Sequence, residues 1–532
     1  MTWNKKPPPG PSRRAVLGLI GSVPVAAATQ WAGTGPAVAA GPAEDLAARI
    51  QEIIHRPVFA DSEWGMAFAA PDTGEVVYAI SPGELFVAAS SFKVFIAGIA
   101  FETLGAGHRF RTRIYRTGPV VHGVLRGDLV LVAGGDLLLS GRMRRDGALI
   151  LPDPDPTYPG GTPLPDPLRE IRGLARQIGA AGIRRVDGRI IVDTSLFAEA
   201  RESIAIDDTQ ITVSPMMIND HVVHAAVSPG TTADAPATVS AKPATGYVRF
   251  ASQVTTVAGS GALPLTVGGD VTNPDGTHTV TITGDIPVGS PPQFVPYYVP
   301  NPAQFAGTVL AEALHDQGVR VSNGVVAPGS RHARGVLVAE HLSPPLADES
   351  KVMLKVSSNV HAVTFPYLVG AIAGRDPDTP KATYEQYRRE LFRAAGIDPD
   401  PDGAAQGAYC ADTFIKFLSH VQRKPYFAPF RQALPIMGRD GTLAGNQPGS
   451  PAAGHVFAKT GTAMAYAQGG GAQVHKALAG YIQLPDGRWL TFAQFMRQAA
   501  TPETAMSLTG QAQESMAEIA TAVYETLGRT SR

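Results

Sequence analysis

Apolar and polar residues alternate with a period of two in runs near both ends of the chain, which predicts strands with one buried face. Two runs toward the N-terminus, Trp64–Ala70 and Glu75–Ile80, are joined at Pro71-Asp72-Thr73-Gly74, a sequence typical of a hairpin turn. Three runs toward the C-terminus share the pattern: Val456–Thr462, Lys476–Leu484 and Trp489–Phe495. We expect the five strands to form one antiparallel sheet made from both chain ends.

Several longer segments have apolar residues at helical spacing. The internal ones are Ala43–Ile54, Lys93–Leu104, Leu168–Gly179, Asn301–Gly318 and Glu349–Ala373. A terminal helix is predicted with one apolar face, formed by Ala512, Met516, Ile519, Val523 and Leu527. Because this helix carries glutamates and no Lys or Arg before Arg529, we expect it to pack on the sheet and not to anchor the protein to a membrane.

The middle of the chain has a different texture, dominated by short strands and turns. Strands are predicted at Val121–Val132, as a pair turning at Arg126-Gly127-Asp128, at Arg189–Val192 and at Val319–Val326. Pro152–Pro167 is crowded with Pro, Asp and Gly, which predicts an exposed loop. From Ala235 to about Val295, Val and Thr alternate with polar residues and break at Gly and Pro, a pattern typical of all-β structure.

These patterns predict an α+β fold class with two parts. Residues 41–115 and 346–532 would form a domain around the five-stranded sheet. Residues 116–345 would be an inserted, mostly β region with a nested β module at about residues 225–295.

The first 40 residues have the layout of a cleavable export signal. Arg13 and Arg14 precede a modest apolar run, Ala15–Thr29, and small residues follow at Ala37–Ala40. Adjacent arginines before a weakly hydrophobic core are typical of a twin-arginine signal. We expect cleavage near Ala39 or Ala40 and a periplasmic or secreted mature protein with no transmembrane anchor.

Composition excludes several classes of function. A formal net charge of −1 gives no electrostatic case for binding nucleic acid or an anionic membrane surface. With Cys410 as the sole cysteine, neither an intramolecular disulfide nor a cysteine-based metal site is possible. The 13 histidines form no H-E-x-x-H motif, so we expect no metal and no cofactor.

Ser90 and Lys93 form an S-x-x-K motif where the N-terminal strands give way to a predicted helix. Residues three apart lie on the same helix face, so the lysine amine is within reach of the serine hydroxyl. A serine nucleophile needs a base, and a lysine can serve if burial keeps its amine neutral. The alternative is a capping serine followed by a lysine that extends into solvent.

Two later motifs could complete an acyl-transfer site. In Ser357-Ser358-Asn359, the Ser357 hydroxyl could relay a proton to a leaving amine and the Asn359 amide could hold the substrate backbone. In Lys459-Thr460-Gly461, on a predicted strand, a cation and a hydroxyl could bind a carboxylate, and Gly461 would leave room for a substrate at the strand edge. Each motif is weak alone, but S-x-x-K, S-x-N and K-T-G in this order are typical of penicillin-binding proteins and class A β-lactamases.

The chain resembles the D-alanyl-D-alanine carboxypeptidase/endopeptidase family of low-molecular-mass penicillin-binding proteins. The gap of 267 positions between Ser90 and Ser357 resembles the class with large insertions. The further matching segments include Leu104-Gly105, His108–Thr112, Gly127–Leu129, Asp187–Arg189, Asp193–Ser195, Ser214-Pro215, Ile218–Asp220, Leu434-Pro435, Asp440–Leu443 and Leu478–Tyr481.

The resemblance implies a serine β-lactamase/transpeptidase-like fold and hydrolysis of D-Ala-D-Ala bonds of peptidoglycan stem peptides through an acyl-Ser90 intermediate. It implies that β-lactams are covalent inhibitors. Implied roles are Lys93 as base, Ser357 as proton relay, Asn359 for substrate orientation, Lys459 and Thr460 for carboxylate binding, and the Ser90 and Thr462 N–H groups as oxyanion hole. Asp193 is the inserted-region residue we expect to contact the stem-peptide side chain.

Two other functions fit the same motifs. A β-lactamase or small-ester hydrolase would use the same serine, with a deacylating carboxylate beside it. A slow-turnover, wall-binding homologue is suggested by Asp402–Gly407, where relatives carry an Asp-Gly-Ser-Gly-Leu-Ser-like run.

Overall fold

The computed structural model describes residues 42–529, except 205–208, 260–262, 327–334 and 467–469. The predicted export signal at residues 1–40 therefore lies outside the described residues.

The N-terminal elements confirm the predicted helix, hairpin and second helix. Pro71–Gly74 joins the two strands, and Pro57–Phe59 and Ala89–Phe92 are short 3-10 turns. The regular elements are α1 (Pro42–Ile54), β1 (Glu63–Ala69), β2 (Val76–Ile80), β3 (Phe86–Val87) and α2 (Lys93–Leu104).

The middle of the chain consists mostly of strands, as its texture predicts. Up to residue 228 these elements are β4 (Arg111–Arg116), β5 (Val120–Val121), β6 (Val124–Leu125), β7 (Leu129–Val132), α3 (Arg169–Ala180), β8 (Arg185–Val186), β9 (Ile190–Asp193), β10 (Ala200–Ser203), β11 (Gln210–Val213) and β12 (Val222–Ser228). The remainder are β13 (Thr238–Lys242), β14 (Val248–Val257), β15 (Thr266–Thr272), β16 (His278–Pro287), β17 (Gln293–Tyr298), α4 (Pro302–Asp316), β18 (Arg320–Val321), β19 (Val325–Val326) and β20 (Val336–Leu342).

The C-terminal part begins with helices and ends with three long strands and a long helix. These elements are α5 (Leu346–Lys355), α6 (Asn359–Ala373), α7 (Pro380–Ala394), β21 (Ala408–Tyr409), α8 (Ala411–Gln422), α9 (Phe427–Ala433), β22 (Val456–Tyr466), β23 (Ala472–Gln483), β24 (Trp489–Ala500) and α10 (Pro502–Arg529).

The predicted five-stranded sheet from both chain ends is confirmed. Its order is β2-β1-β24-β23-β22, and every neighbouring pair is antiparallel. Because strand residues alternate between faces, Met66 and Phe68 join one apolar cluster while Ala67 joins another. Helices α1 and α10 cover the first face, and α2 and α8 contribute to the cluster on the second face.

The terminal helix packs on the sheet as predicted. Ala512, Met516, Ile519 and Val523 are buried, in the cluster that also contains β23 residues. Acidic residues of the helix pair with α1 and the segment after it: Glu525 with Arg49 at 2.7 Å and Glu518 with Arg56 at 2.5 Å. In the part of the chain that the structure describes, no helix is long and apolar enough to cross a bilayer.

The predicted strand pair within Val121–Val132 is wrong. β5 and β6 form a small hairpin, while β6 pairs in parallel with β8, and β7 pairs with β4 and β9 in a different sheet. Val319–Val326 likewise divides into β18 and β19, which lie in two sheets. Parallel partners come from distant parts of the chain, so local alternation cannot show which strands pair.

The division into domains stays a prediction. One apolar cluster consists of residues between Ile114 and Ala339 alone, whereas the clusters at the five-stranded sheet draw mainly on both chain ends. The nested module at about residues 225–295 corresponds to a run of strands from β13 to β17.

Phe95 on α2 anchors the cluster beneath the candidate site, so its truncation tests that core. Its ring packs against those of Phe392, Tyr409, Phe414 and Phe417. We expect Phe95→Ala to lower the free energy of unfolding by about 3–5 kcal/mol in urea titrations. Phe92→Ala, on the same turn but 37% exposed, is the matched control, and an equal loss in both variants would contradict this packing.

Candidate active site

Ser90 lies on a tight turn that leads directly into α2. Residues Ala89–Phe92 form one 3-10 turn, and Ala89 has a φ of 46°, in the left-handed region. Gly461 on β22 lies against this turn: a Cβ at this position would be 2.4 Å from the carbonyl oxygen of Ala88. The glycine is buried and lets the strand approach the serine turn, while its role of leaving room for substrate stays a prediction.

The Lys93 amine is buried and directed at the serine. The residue is 1% exposed, and its Nζ lies 3.2 Å from Ser90 Oγ. Lys93 donates to the Asn359 side-chain oxygen at 2.6 Å and to the Ser357 carbonyl. Ser90 is not a helix cap, because the cap position of α2 is Phe92 and has no side-chain hydrogen bond. The alternative of a capping serine with a solvent-exposed lysine is therefore wrong.

Ser357 lies at a break in the predicted helix Glu349–Ala373, which is two helices, α5 and α6. Its φ of 61° is in the left-handed region, which a non-glycine residue adopts only under constraint. The constraint comes from the carbonyl, which accepts hydrogen bonds from Lys93 Nζ and from the Tyr158 hydroxyl at 2.7 Å. The break turns the Ser357 hydroxyl toward the lysines.

The Ser357 hydroxyl joins the two other motifs. Its Oγ lies 3.1 Å from Lys93 Nζ and 3.0 Å from Lys459 Nζ. Lys459 is 0% exposed and also donates to the Thr460 carbonyl at 2.8 Å. The residues predicted from the three motifs, Ser90, Lys93, Ser357, Asn359 and Lys459, are thus brought together.

The start of α6 fixes the Asn359 amide. Its Oδ1 accepts from Lys93, and its Nδ2 donates to the Ile204 carbonyl at 2.7 Å. Ser358 caps the helix, because its side chain accepts from the His361 backbone N–H at 3.4 Å. The S-x-N motif therefore combines a helix cap with two functional side chains.

Burial controls the protonation of both lysines. Burial, and secondarily the nearby Lys459 charge, holds the pKa of Lys93 well below the ordinary value for lysine. Burial and the charge of Lys476 lower the pKa of Lys459 to about 7. A neutral Lys93 has two N–H groups, which suit the Asn359 and Ser357 carbonyl oxygens, and one lone pair left for the Ser90 proton. The geometry provides a nucleophile with an adjacent base.

A cavity of about 490 Å³ opens at Ser90. It is lined by Ser90, Asp153, Pro154, Tyr158, Pro159, Val356, Ser357, Asn359, Thr442, Thr460, Thr462 and Gln513. Lys93 and Lys459 lie beneath this lining, and the Thr442 and Thr460 hydroxyls are hydrogen-bonded to each other at 2.8 Å. Its volume fits a short peptide segment.

The segment between β7 and α3 contributes to this cavity through a loop that the sequence predicts to be exposed. Within Pro152–Pro167, Asp155 and Thr157 are buried, and Tyr158 contacts the Ser357 carbonyl, so the prediction of an exposed loop is wrong in part. Charged and aromatic residues interrupt this Pro-rich stretch, and they were the sequence signal that part of the loop is buried.

Asp193 does not line the cavity. It is 2% exposed at the end of β9, and its Oδ1 accepts from the Ser195 backbone N–H at 2.9 Å. The inserted-region carboxylate that lines the cavity is Asp153. Asp193 thus holds a turn at the strand end, and its predicted contact with substrate is not supported by its position.

A fully buried ion network holds the loop against α6. Arg142 pairs with Asp155 at 2.5 Å and with Asp220 at 2.7 Å, and Asp220 also lies 3.0 Å from His361. His361 is two residues beyond Asn359. The network therefore links the inserted region to the S-x-N motif, a link that sequence reasoning missed because its members are scattered along the chain.

Comparison with known proteins agrees with this geometry. The model of the D-Ala-D-Ala carboxypeptidase 3 (S13) family matches residues 46–522. The chain belongs to this family. A D-alanyl-D-alanine carboxypeptidase of Actinomadura sp. (strain R39) is 27% identical over 349 residues, which cover 60% of this chain and 61% of that protein. The match thus spans less than two thirds of the relative's length.

The fold is shared with a solved penicillin-binding protein. Penicillin binding protein 4 (dacB) from Haemophilus influenzae aligns with a TM-score of 0.66 at 19% identity, covering 90% of this chain and 99% of that protein. A structure of the same protein complexed with a β-lactam aligns with a TM-score of 0.64. These alignments confirm the predicted transpeptidase-like, α+β fold.

The backbone at Ser357 can be tested separately from its hydroxyl. Ser357→Gly and Ser357→Ala both remove the hydroxyl, but only glycine tolerates the positive φ without strain. We expect the free energy of unfolding of the glycine variant, measured by denaturant titration, to exceed that of the alanine variant by about 1 kcal/mol. Equal stability of the two variants would show that the break is not strained.

Proposed function

We propose that this protein is an exported serine D-Ala-D-Ala carboxypeptidase/endopeptidase that acts through an acyl-Ser90 intermediate. The observation that carries the proposal is the Ser90 hydroxyl 3.2 Å from the buried Lys93 amine, with the Ser357 hydroxyl between Lys93 and Lys459. Membership of the S13 family supports the choice of substrate. The arginine pair and small-residue run within residues 12–40 support export.

Acylation would begin when the Ser90 hydroxyl donates its proton to the Lys93 lone pair. Ser90 Oγ then attacks the carbonyl carbon between the two D-alanines, forming the C–O bond of an ester. The proton passes from Lys93 through the Ser357 hydroxyl to the leaving nitrogen as the C–N bond breaks. Water hydrolyses the ester and regenerates the Ser90 hydroxyl.

The substrate would be held at its backbone and its terminal carboxylate. Asn359 faces the cavity and would orient the acyl-side backbone. Thr460 and Thr462 line the cavity beside Lys459 and would bind the carboxylate. The Ser90 and Thr462 backbone N–H groups would stabilise the developing oxyanion.

The structure offers little support for the two alternative functions. Among the described residues, no carboxylate is hydrogen-bonded to Ser90, Lys93 or Ser357, and the one carboxylate in the lining of the cavity is Asp153. The Asp402–Gly407 run, which motivated the slow-turnover alternative, lines a separate cavity of about 680 Å³ beside Phe92. The β-lactam complex of the Haemophilus relative supports inhibition by β-lactams.

Covalent labelling tests the nucleophile. We expect wild-type protein incubated with a penicillin to gain the mass of one penicillin in intact-protein mass spectrometry, because the Ser90 ester forms faster than it hydrolyses. Ser90→Ala should gain none, since no hydroxyl is left to form the ester. Absence of the adduct on the wild type, or its presence on Ser90→Ala, would reject the proposed mechanism.

Asp153 suggests which substrate side chain is preferred. It is the single carboxylate among the described residues that line the cavity, and partial burial raises its pKa while the Lys459 charge lowers it. A carboxylate at this position would attract a cationic side chain on the stem peptide. The proposal replaces the expected contact at Asp193.

Charge removal at Asp153 should therefore act selectively. For two peptides that differ only in a free or acetylated side-chain amine, we expect Asp153→Asn to lower kcat/KM about fivefold more for the free amine. The exposed Asp61→Asn is the control, because Asp61 lies on the segment before β1 and does not line the cavity. Equal effects on the two peptides would contradict a charge interaction.

A further inference from the structure

Lys476 is a buried lysine that lies on a strand face otherwise built from apolar residues. It is 3% exposed on β23, whose neighbouring side chains on the same face, Val474, Leu478 and Ile482, belong to the apolar cluster beneath α10. Neither its burial nor its strand position favours a lysine, because burying an amine is costly without a compensating charge.

The amine of Lys476 is directed at two residues of the active-site cavity. In the sheet register it is paired with Thr462, and its Nζ lies 2.6 Å from Thr462 Oγ1. It also donates to Gln513 Oε1 at 2.7 Å. Both Thr462 and Gln513 line the cavity at Ser90. Lys476 thus lies directly behind the wall of the cavity, next to the K-T-G motif.

The surrounding hydrogen bonds fix the direction of these polar groups. Gln513 Nε2 donates to the Thr442 carbonyl at 2.9 Å and to Asn446 Oδ1 at 2.8 Å, so its Oε1 must face Lys476. Because Thr462 Oγ1 accepts a hydrogen bond from Lys476, its own proton is free to be donated into the cavity. A hydroxyl that accepts from a cation is also a stronger donor.

Neither amine at this end of the cavity has a described carboxylate at salt-bridge distance, and the charge of Asp153 acts on Lys459 only from farther away. In the described parts of the chain, no Asp or Glu lies within 4.0 Å of the amine of Lys459 or Lys476. Burial lowers the pKa of Lys476 to about 7, and the Lys476 charge in turn lowers that of Lys459. An anionic ligand bound beside the two amines would favour their charged forms and so be held by them.

We propose that Lys476 is a second cation of the site for the substrate's terminal carboxylate and acts through Thr462 and Gln513 as a specificity-determining positioning residue. This inference rests on the proposed function, because it assigns the recognised anion to the free carboxylate of a D-Ala-D-Ala terminus. Lys459 and Lys476 lie on neighbouring strands, so the carboxylate would be held between hydroxyl donors backed by two cations.

Binding without turnover tests the proposal directly. In the Ser90→Ala protein, the dissociation constants of N-acetyl-D-alanyl-D-alanine and of its C-terminal amide are measured by titration calorimetry or ligand-observed NMR. We expect the acid to bind at least about tenfold more tightly than the amide, because hydrogen bonds to a charged group are strong. Adding Lys476→Met should remove most of that preference, mainly by weakening the binding of the acid.

Two further variants control for the loss of a lysine charge elsewhere and for failure to fold. Lys416→Met removes an exposed lysine on α8 and should retain the full preference for the acid. The thermal unfolding midpoint of the Lys476→Met protein should not fall, because the variant no longer buries an amine without a carboxylate partner. If Lys476 had a purely structural role, its removal would lower that midpoint. If Lys476→Met does not fold, Lys476→Gln serves the same measurement.

Each outcome decides the assignment. Equal binding of acid and amide by the Ser90→Ala protein, an unchanged preference after Lys476→Met, or equal weakening of both ligands would overturn it. The penicillin adduct tests the proposed function separately. A wild type without adduct whose Ser90→Ala form keeps a Lys476-dependent preference would reject D,D-peptidase activity and support the carboxylate site.

Discussion

The site depends on one contact, in which the Ser357 hydroxyl lies between two buried lysine amines. Lys93 Nζ and Lys459 Nζ approach it at 3.1 Å and 3.0 Å from opposite chain segments, 264 residues before it and 102 after. The hydroxyl can reach both only because Ser357 breaks the helix with a φ of 61°. Backbone strain at this residue is therefore the condition for bringing three distant motifs into contact.

Electrostatics explains why these lysines are buried together. An exposed lysine would remain protonated near neutral pH and could not accept a proton from Ser90. Burial and the neighbouring positive charge hold the pKa of Lys93 down, and burial also lowers the pKa of Lys459 and of Lys476 to about 7. The same desolvation favours a neutral base at Lys93, and it leaves the proposed anion site dependent on the charge of the ligand to stabilise the protonated amines.

The segment between β7 and α3 stabilises this arrangement from the other side of the cavity. Its loop supplies the Tyr158 hydroxyl that bonds to the Ser357 carbonyl, and the ion pairs of Arg142 hold that loop in place. Removing one partner from a buried network of this kind leaves an uncompensated charge, so the loop and the start of α6 are expected to be stable or to fail together. This loop is therefore part of the geometry around Ser90.

The sequence by itself determined the motif residues, the five-stranded sheet and the terminal helix, because these follow from local spacing and periodicity. Ser90 and Lys93 are one helical turn apart in any helix, and alternating apolar residues mark strands wherever they occur. Only the tertiary structure decided that Asp153 and not Asp193 lines the cavity, that Gly461 accommodates the serine turn, and that Lys476 lies behind Thr462. Those facts depend on strand register and on contacts between segments hundreds of residues apart, which no local pattern encodes.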